Sequence, residues 1–237
     1  FGNTFFSEID IIDAAAPAPN RHESIIQTFT SEDKKFRYII NATKAPDLLP
    51  WATKELIPVV EEWYPKMIAM MPSDGFTAPD TVHMEFKDDM GGTPAYAAGN
   101  RISLSIPFFN GQLRRKDRGE AMGCVIHELV HVIQNFGRAR RTNPNPSRTP
   151  GWITEGLADY VRWFLYEPET GGATLSNGQL ARARHDASYR VTANFIDWVA
   201  RTHDEKISQK LNSAARSGSY SDALWEKVTG KTVEALA

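Results

Sequence analysis

The chain has 237 residues, with 29 acidic and 27 basic side chains and a formal net charge of −2. That balance leaves no electrostatic footprint for nucleic acid or an anionic membrane surface, and no run of about 18 apolar residues offers a transmembrane helix. Apolar residues make up 41% and charged residues 24%, the composition of a globular protein with a sizeable core.

Residues 1–33 read as an N-terminal arm or irregular lead-in. Within it, Glu8-Ile9-Asp10-Ile11-Ile12 is a short-strand candidate, and Ala14-Ala15-Ala16-Pro17-Ala18-Pro19 has the composition of a surface linker. From Phe1 onward there is no basic segment followed by an apolar one, so no signal peptide is expected within this sequence. Lys35–Asn41 is aromatic and β-branched, a strand. Apolar residues then recur with helical period from about Asp47 to Met71, with Pro58 and Pro65 inside as bends. The alternating Thr81–Phe86 predicts a strand whose His83 sits on the surface. Thr93–Ala98 and Arg101–Ile106, joined by Gly99-Asn100, predict a hairpin. Pro94 suits the start of an edge strand.

The next helix is expected from about Asp117 to a C-terminal glycine, Gly137. It carries His127-Glu128-Leu129-Val130-His131. Positions four apart share a helix face, so both imidazoles can reach one tetrahedral Zn²⁺. Glu128 stands about 100° round the helix from His127, beside a metal rather than on it, where a carboxylate can accept a proton from water. Val125, Ile126, Leu129, Val130, Val132 and Ile133 make this helix apolar nearly all round. The competing reading is two core histidines that happen to align, at the cost of an unpaired buried glutamate. Cys124, the single cysteine, cannot form an internal disulfide and reads as a small buried hydrophobe.

Arg138–Thr149 is a loop whose arginines are either solvated or available to substrate carboxylates. A second helix is expected from about Pro150 to Glu167. A catalytic zinc takes three protein ligands and keeps one open position. The pattern with a third histidine six residues on fails, because Gln134 and Gly137 occupy the required Gly and His positions. Glu155, 24 residues after His131 on the second helix, is the alternative. Asp159 shares its face and can accept the outer N–H of a ligating histidine. Helices follow at about Ser188–Thr202, Glu205–Arg216 and Ser221–Val228.

His127–His131 followed by Gly151-Trp152-Ile153-Thr154-Glu155-Gly156-Leu157-Ala158-Asp159-Tyr160 resembles the gluzincin metallopeptidases. Together with Ala45–Leu48, Glu62–Pro65, Ser73–Gly75, Tyr189–Ala193 and Thr229–Lys231, the sequence more closely resembles the basic secretory protein family of plants, fungi and bacteria. The resemblance implies a secreted, extracellular or periplasmic zinc peptidase. Its fold would be α+β and zincin-like, a small N-terminal mixed or antiparallel sheet with an edge strand over the active-site helix and a mainly helical C-terminal part. Residues 34–237 would then be one catalytic domain, with the sheet and metal helix in 34–137 and the helical part in 138–237.

On this reading Zn²⁺ is held by His127, His131 and Glu155, Glu128 is the general base, and Asp159 braces a ligand. Tyr189 stabilises the oxyanion, with His185 as runner-up. The edge Ala95-Tyr96-Ala97 binds the substrate backbone by strand addition. The partner is a peptide or protein, and a monomer is expected. An endopeptidase is preferred, because an aminopeptidase needs a carboxylate for the substrate ammonium and Ala95–Ala98 has none. The alternatives are a glycopeptide-selective peptidase and a zinc-stabilised binding module with vestigial catalysis.

Overall fold

Strands β1 (Ile26–Thr30), β2 (Arg37–Asn41), β3 (Thr81–Lys87), β4 (Ala95–Ala98) and β5 (Arg101–Ser105) form one mixed sheet in the order β1-β2-β3-β5-β4. The structure is a computed structural model that describes residues 24–116, 118–187 and 189–237. The expected strand at Glu8–Ile12, the linker Ala14–Pro19 and the expected helix starts at Asp117 and Ser188 lie outside these residues. Strands β2 and β3 run parallel, as do β3 and β5, while β1 and β4 pair antiparallel on the two edges.

The central strands form because their side chains alternate. Tyr38 and Ile40 of β2, and Val82, Met84 and Phe86 of β3, are buried in the core. Strand β1 corrects the reading of residues up to 33 as irregular. Four of its five residues are exposed, so it has no core-facing alternation to read, and its ladder with β2 holds it.

A parallel pair needs a crossover, and β2 reaches β3 through a helical run. This opens with turns at Pro46–Leu48, Leu49–Trp51 and a π-helical Ala52–Leu56, then continues as α1 (Ile57–Met70). Pro58 therefore follows directly on the π-helical turn, and both it and Pro65 lie inside the continuous helical run, as expected. The hairpin turns at Gly99, φ +61°, with Ala98 paired to Arg101.

After β5 comes a helix the sequence reading passed over, α2 (Ile106–Arg114). Its start was legible: the Ser105 hydroxyl accepts from the Phe108 N–H, and Pro107 occupies the first turn. Helix α3 (Arg118–Gln134) ends earlier than expected, at Asn135 with φ +44°, and not at Gly137. Asparagine tolerates the left-handed conformation that stops a helix. The expected loop then begins with helical turns at Phe136–Arg138 and Ala139–Thr142.

Helix α4 (Gly151–Tyr160) passes directly into a π-helical stretch, Val161–Tyr166. Helices α5 (Tyr189–Thr202), α6 (Ile207–Ser217) and α7 (Ala223–Thr229) make up most of the rest, with single helical turns at Asn177–Leu180 and Val233–Leu236. Helices α4 and α5 approach closely at Gly156, where a Cβ would stand 2.2 Å from Cγ2 of Thr192. Among the described residues no helix is long and apolar enough to cross a membrane.

Candidate metal centre

Helix α3 lies in the core. Val125, Ile126, Leu129, Val130, Val132 and Ile133 are buried among residues of the sheet, α1 and α4. His127 and His131, one turn apart, are left facing a cleft of about 610 Å³ between α3, α4 and the edge strand β4. Helix α4 brings Glu155 against them. The Nε2 atoms of His127 and His131 are 3.1 Å apart, and each is 3.2 Å from Oε2 of Glu155. Among the described residues this is the one group of His, Cys, Asp or Glu side chains whose donors converge closely enough to hold a metal ion.

The outer ring nitrogens show which species fits the triangle. Nδ1 of His127 lies 2.8 Å from the Asp159 carboxylate, and Nδ1 of His131 lies 2.7 Å from Oε1 of Gln134. Both partners accept, so in the neutral rings the hydrogen is on Nδ1 and both Nε2 lone pairs point inward. Three acceptors then face one another, an arrangement that needs a cation. Bonds of about 2.0–2.1 Å in a tetrahedron separate ligand atoms by roughly 3.3 Å, close to the observed edges. Two imidazoles and one carboxylate are a donor set that suits a divalent metal ion.

A proton is the alternative cation. Burial disfavours the His127 imidazolium, but the Asp159 and Glu155 carboxylates more than offset this and raise its pKa to about 9. Burial likewise opposes ionisation of Glu155, yet its hydrogen bonds with His127 and His131 hold it down to about 2. A preformed negative charge therefore faces the two rings.

Glu128 lines the same cleft without joining the triangle. Burial pushes its pKa up, opposed by the two imidazoles and, least, by the Ala97 N–H on the edge strand. Ala95, Tyr96 and Ala97 line the wall opposite α3. Tyr189, in the first turn of α5, is 53% exposed, lines the cleft and has its ring centre 6.0 Å from that of His127. Glu155 beside it, then burial, raise its pKa, which keeps the phenol protonated. His185 is elsewhere: its ring packs on Trp152 and Phe195, lining a different cavity.

The loop arginines do not line the cleft; Arg138 donates to the Gly75 carbonyl instead. The arginine that does is Arg162, from the π-helical stretch, buried and paired with Glu120 and Glu167. It packs so tightly on α3 that a Cβ at Gly123 would lie 2.4 Å from its Nε. Sequence reasoning missed Arg162, although its position seven residues after Glu155 and three after Asp159 puts it on their helix face. It also missed Gln134, although its position three residues after His131 puts it on the same face.

The curated proteins contain no match to this chain, and neither do the solved structures. A family model does match, over residues 24–237, a span that includes every residue of the centre. That model describes the peptidases of plants and bacteria called BSP, and the chain belongs to this peptidase family.

Proposed function

We propose that the protein is a zinc-dependent endopeptidase of the gluzincin type, acting on peptides or proteins outside the cell. The observation that carries this is the triangle of three inward-facing acceptors, with edges of 3.1–3.2 Å, at the floor of a cleft walled by a sheet edge. His127, His131 and Glu155 would hold the ion, and Asp159 would brace His127. When bound, zinc supplies a Lewis acid that acidifies water and polarises a carbonyl.

The chain's own groups account for the rest. Ala95 and Ala97 offer backbone groups at the edge of β4, and a substrate strand added there lies in the cleft that Glu128 also lines. Glu128 accepts the proton of the attacking water. As the C–N bond breaks, it returns that proton to the leaving nitrogen. The Tyr189 hydroxyl, held protonated by the carboxylates around it, donates to the oxyanion that develops on the scissile carbonyl.

The test is a digest of a peptide library, glycosylated and unglycosylated, read by mass spectrometry with and without a chelator. Cleavage of internal bonds that stops on chelation, returns with zinc, and falls by at least about a hundredfold in Glu128→Gln is the expected result. Cleavage that survives chelation, or a fully active Glu128→Gln, would sink the proposal.

A further inference from the structure

Behind the two inward-facing imidazoles, the outer partners differ in kind. His127 has the Asp159 carboxylate, whereas His131 has the neutral amide of Gln134. An amide can be turned end for end, so its orientation needs an independent anchor. The anchor is the backbone carbonyl of Thr154, 2.8 Å from Nε2 of Gln134. A carbonyl only accepts, so the amide nitrogen must face Thr154 and the oxygen must face the ring. Nδ1 of a neutral His131 then carries the hydrogen, and its Nε2 is bare toward His127 and Glu155.

Gln134 is 2% exposed, so bulk water does not compete for either end. Its main chain is held as well, because the Arg216 guanidinium donates to its carbonyl at 3.1 Å. Thr154 immediately precedes Glu155 on α4. One side chain thus joins the second histidine to the peptide unit that leads into the carboxylate donor.

We infer that Gln134 is a positioning residue that fixes the tautomer of His131 and ties together the two helices bearing the metal donors. This rests on the metal reading above. The chemistry also accounts for an amide in place of a carboxylate. Glutamate would satisfy the ring but would set a second acceptor against the Thr154 carbonyl.

The test uses the full chain and three proteins: wild type, Gln134→Leu, which keeps the volume, and Gln134→Glu, which keeps the acceptor. Ring tautomers of His131 are read by ¹⁵N–¹H correlation in metal-free protein at a pH where the ring is neutral. Zinc affinity is read by competition with a chromophoric chelator. Wild type and Gln134→Glu should both hold the hydrogen on Nδ1. Gln134→Leu should show mixed tautomers and a 10–100-fold weaker zinc affinity, with a smaller loss in Gln134→Glu. Hydrogen on Nε2 of His131 in the wild type overturns the inference. So does a folded Gln134→Leu that binds zinc as tightly as wild type, or equal losses in both variants with the tautomer unchanged. If Gln134→Leu does not fold, the wild-type and Gln134→Glu tautomers still decide. A wild type that binds no zinc refutes the metal reading, while the tautomer measurement separately decides the role of Gln134.

Discussion

Replacing Arg216 with methionine tests how α3 is anchored. The guanidinium is 2% exposed. It donates to the carbonyls of Ile133 at 2.7 Å, Gln134 at 3.1 Å and Met71 at 2.9 Å, and to the Ser73 hydroxyl at 2.6 Å. Its Cζ lies 3.6 Å from the centre of the Phe76 ring. Ile133 and Gln134 end α3, and Met71 follows the last residue of α1, so one cation satisfies the open carbonyls of two helix ends and meets their negative dipole ends. Methionine fills the same channel but donates nothing. Three buried carbonyls lose their partner at about 1–3 kcal/mol each. Releasing a desolvated charge offsets part of this, leaving a net loss of about 3–5 kcal/mol. For a chain of this size that lowers Tm by roughly 10 °C. Urea unfolding of wild type and variant under identical metal content measures it. A loss below about 1 kcal/mol, the scale of a typical single substitution, would refute the anchoring argument.

Gly156→Ala drives a Cβ into Thr192 and should cost about 1–3 kcal/mol; adding Thr192→Ser, which removes the clashing Cγ2 and keeps the hydroxyl, should restore part of that in the same unfolding assay. The Cys124 thiol is pushed up to about 12 by burial and by Glu128, so at pH 8 its thiolate fraction is about a thousandth of an ordinary cysteine's. Alkylation of the native chain should be slower by about that factor and should accelerate roughly tenfold per pH unit up to that pKa; labelling as fast as in the denatured chain would contradict it. Asp159→Ala, which takes the acceptor from His127 Nδ1, should weaken zinc binding about 10–100-fold in a chelator competition, and an unchanged affinity would remove Asp159 from the centre. Stripping the metal should lower stability by about 2.7 kcal/mol relative to protein at a free zinc concentration a hundred times its Kd; a melting curve indifferent to chelator and added zinc would count against the site.

Local geometry explains what could be read in advance. A helix repeats about every 3.6 residues and a strand every two, so His127 and His131, or Glu155 and Asp159, declare a shared face in the sequence alone. The same holds for the alternation of β3 and for the turn at Gly99-Asn100. Strand β1 was missed because its side chains are mostly exposed and only the pairing with β2 makes it a strand. Helix α2 is marked in the sequence by its Ser105 cap and by Pro107 in its first turn.

The sequence by itself determined the helix that pairs His127 with His131, the second helix bearing a carboxylate, and the hairpin whose first strand became the sheet edge. It determined them because each depends on neighbours within a turn or two. Only the tertiary structure decided that Tyr189 and not His185 stands in the cleft, that Gln134 spans from His131 to Thr154, and that Arg216 reaches more than 80 residues back to the end of α3. Those contacts join residues far apart along the chain, and the packing that creates them leaves no periodic trace in the order of residues.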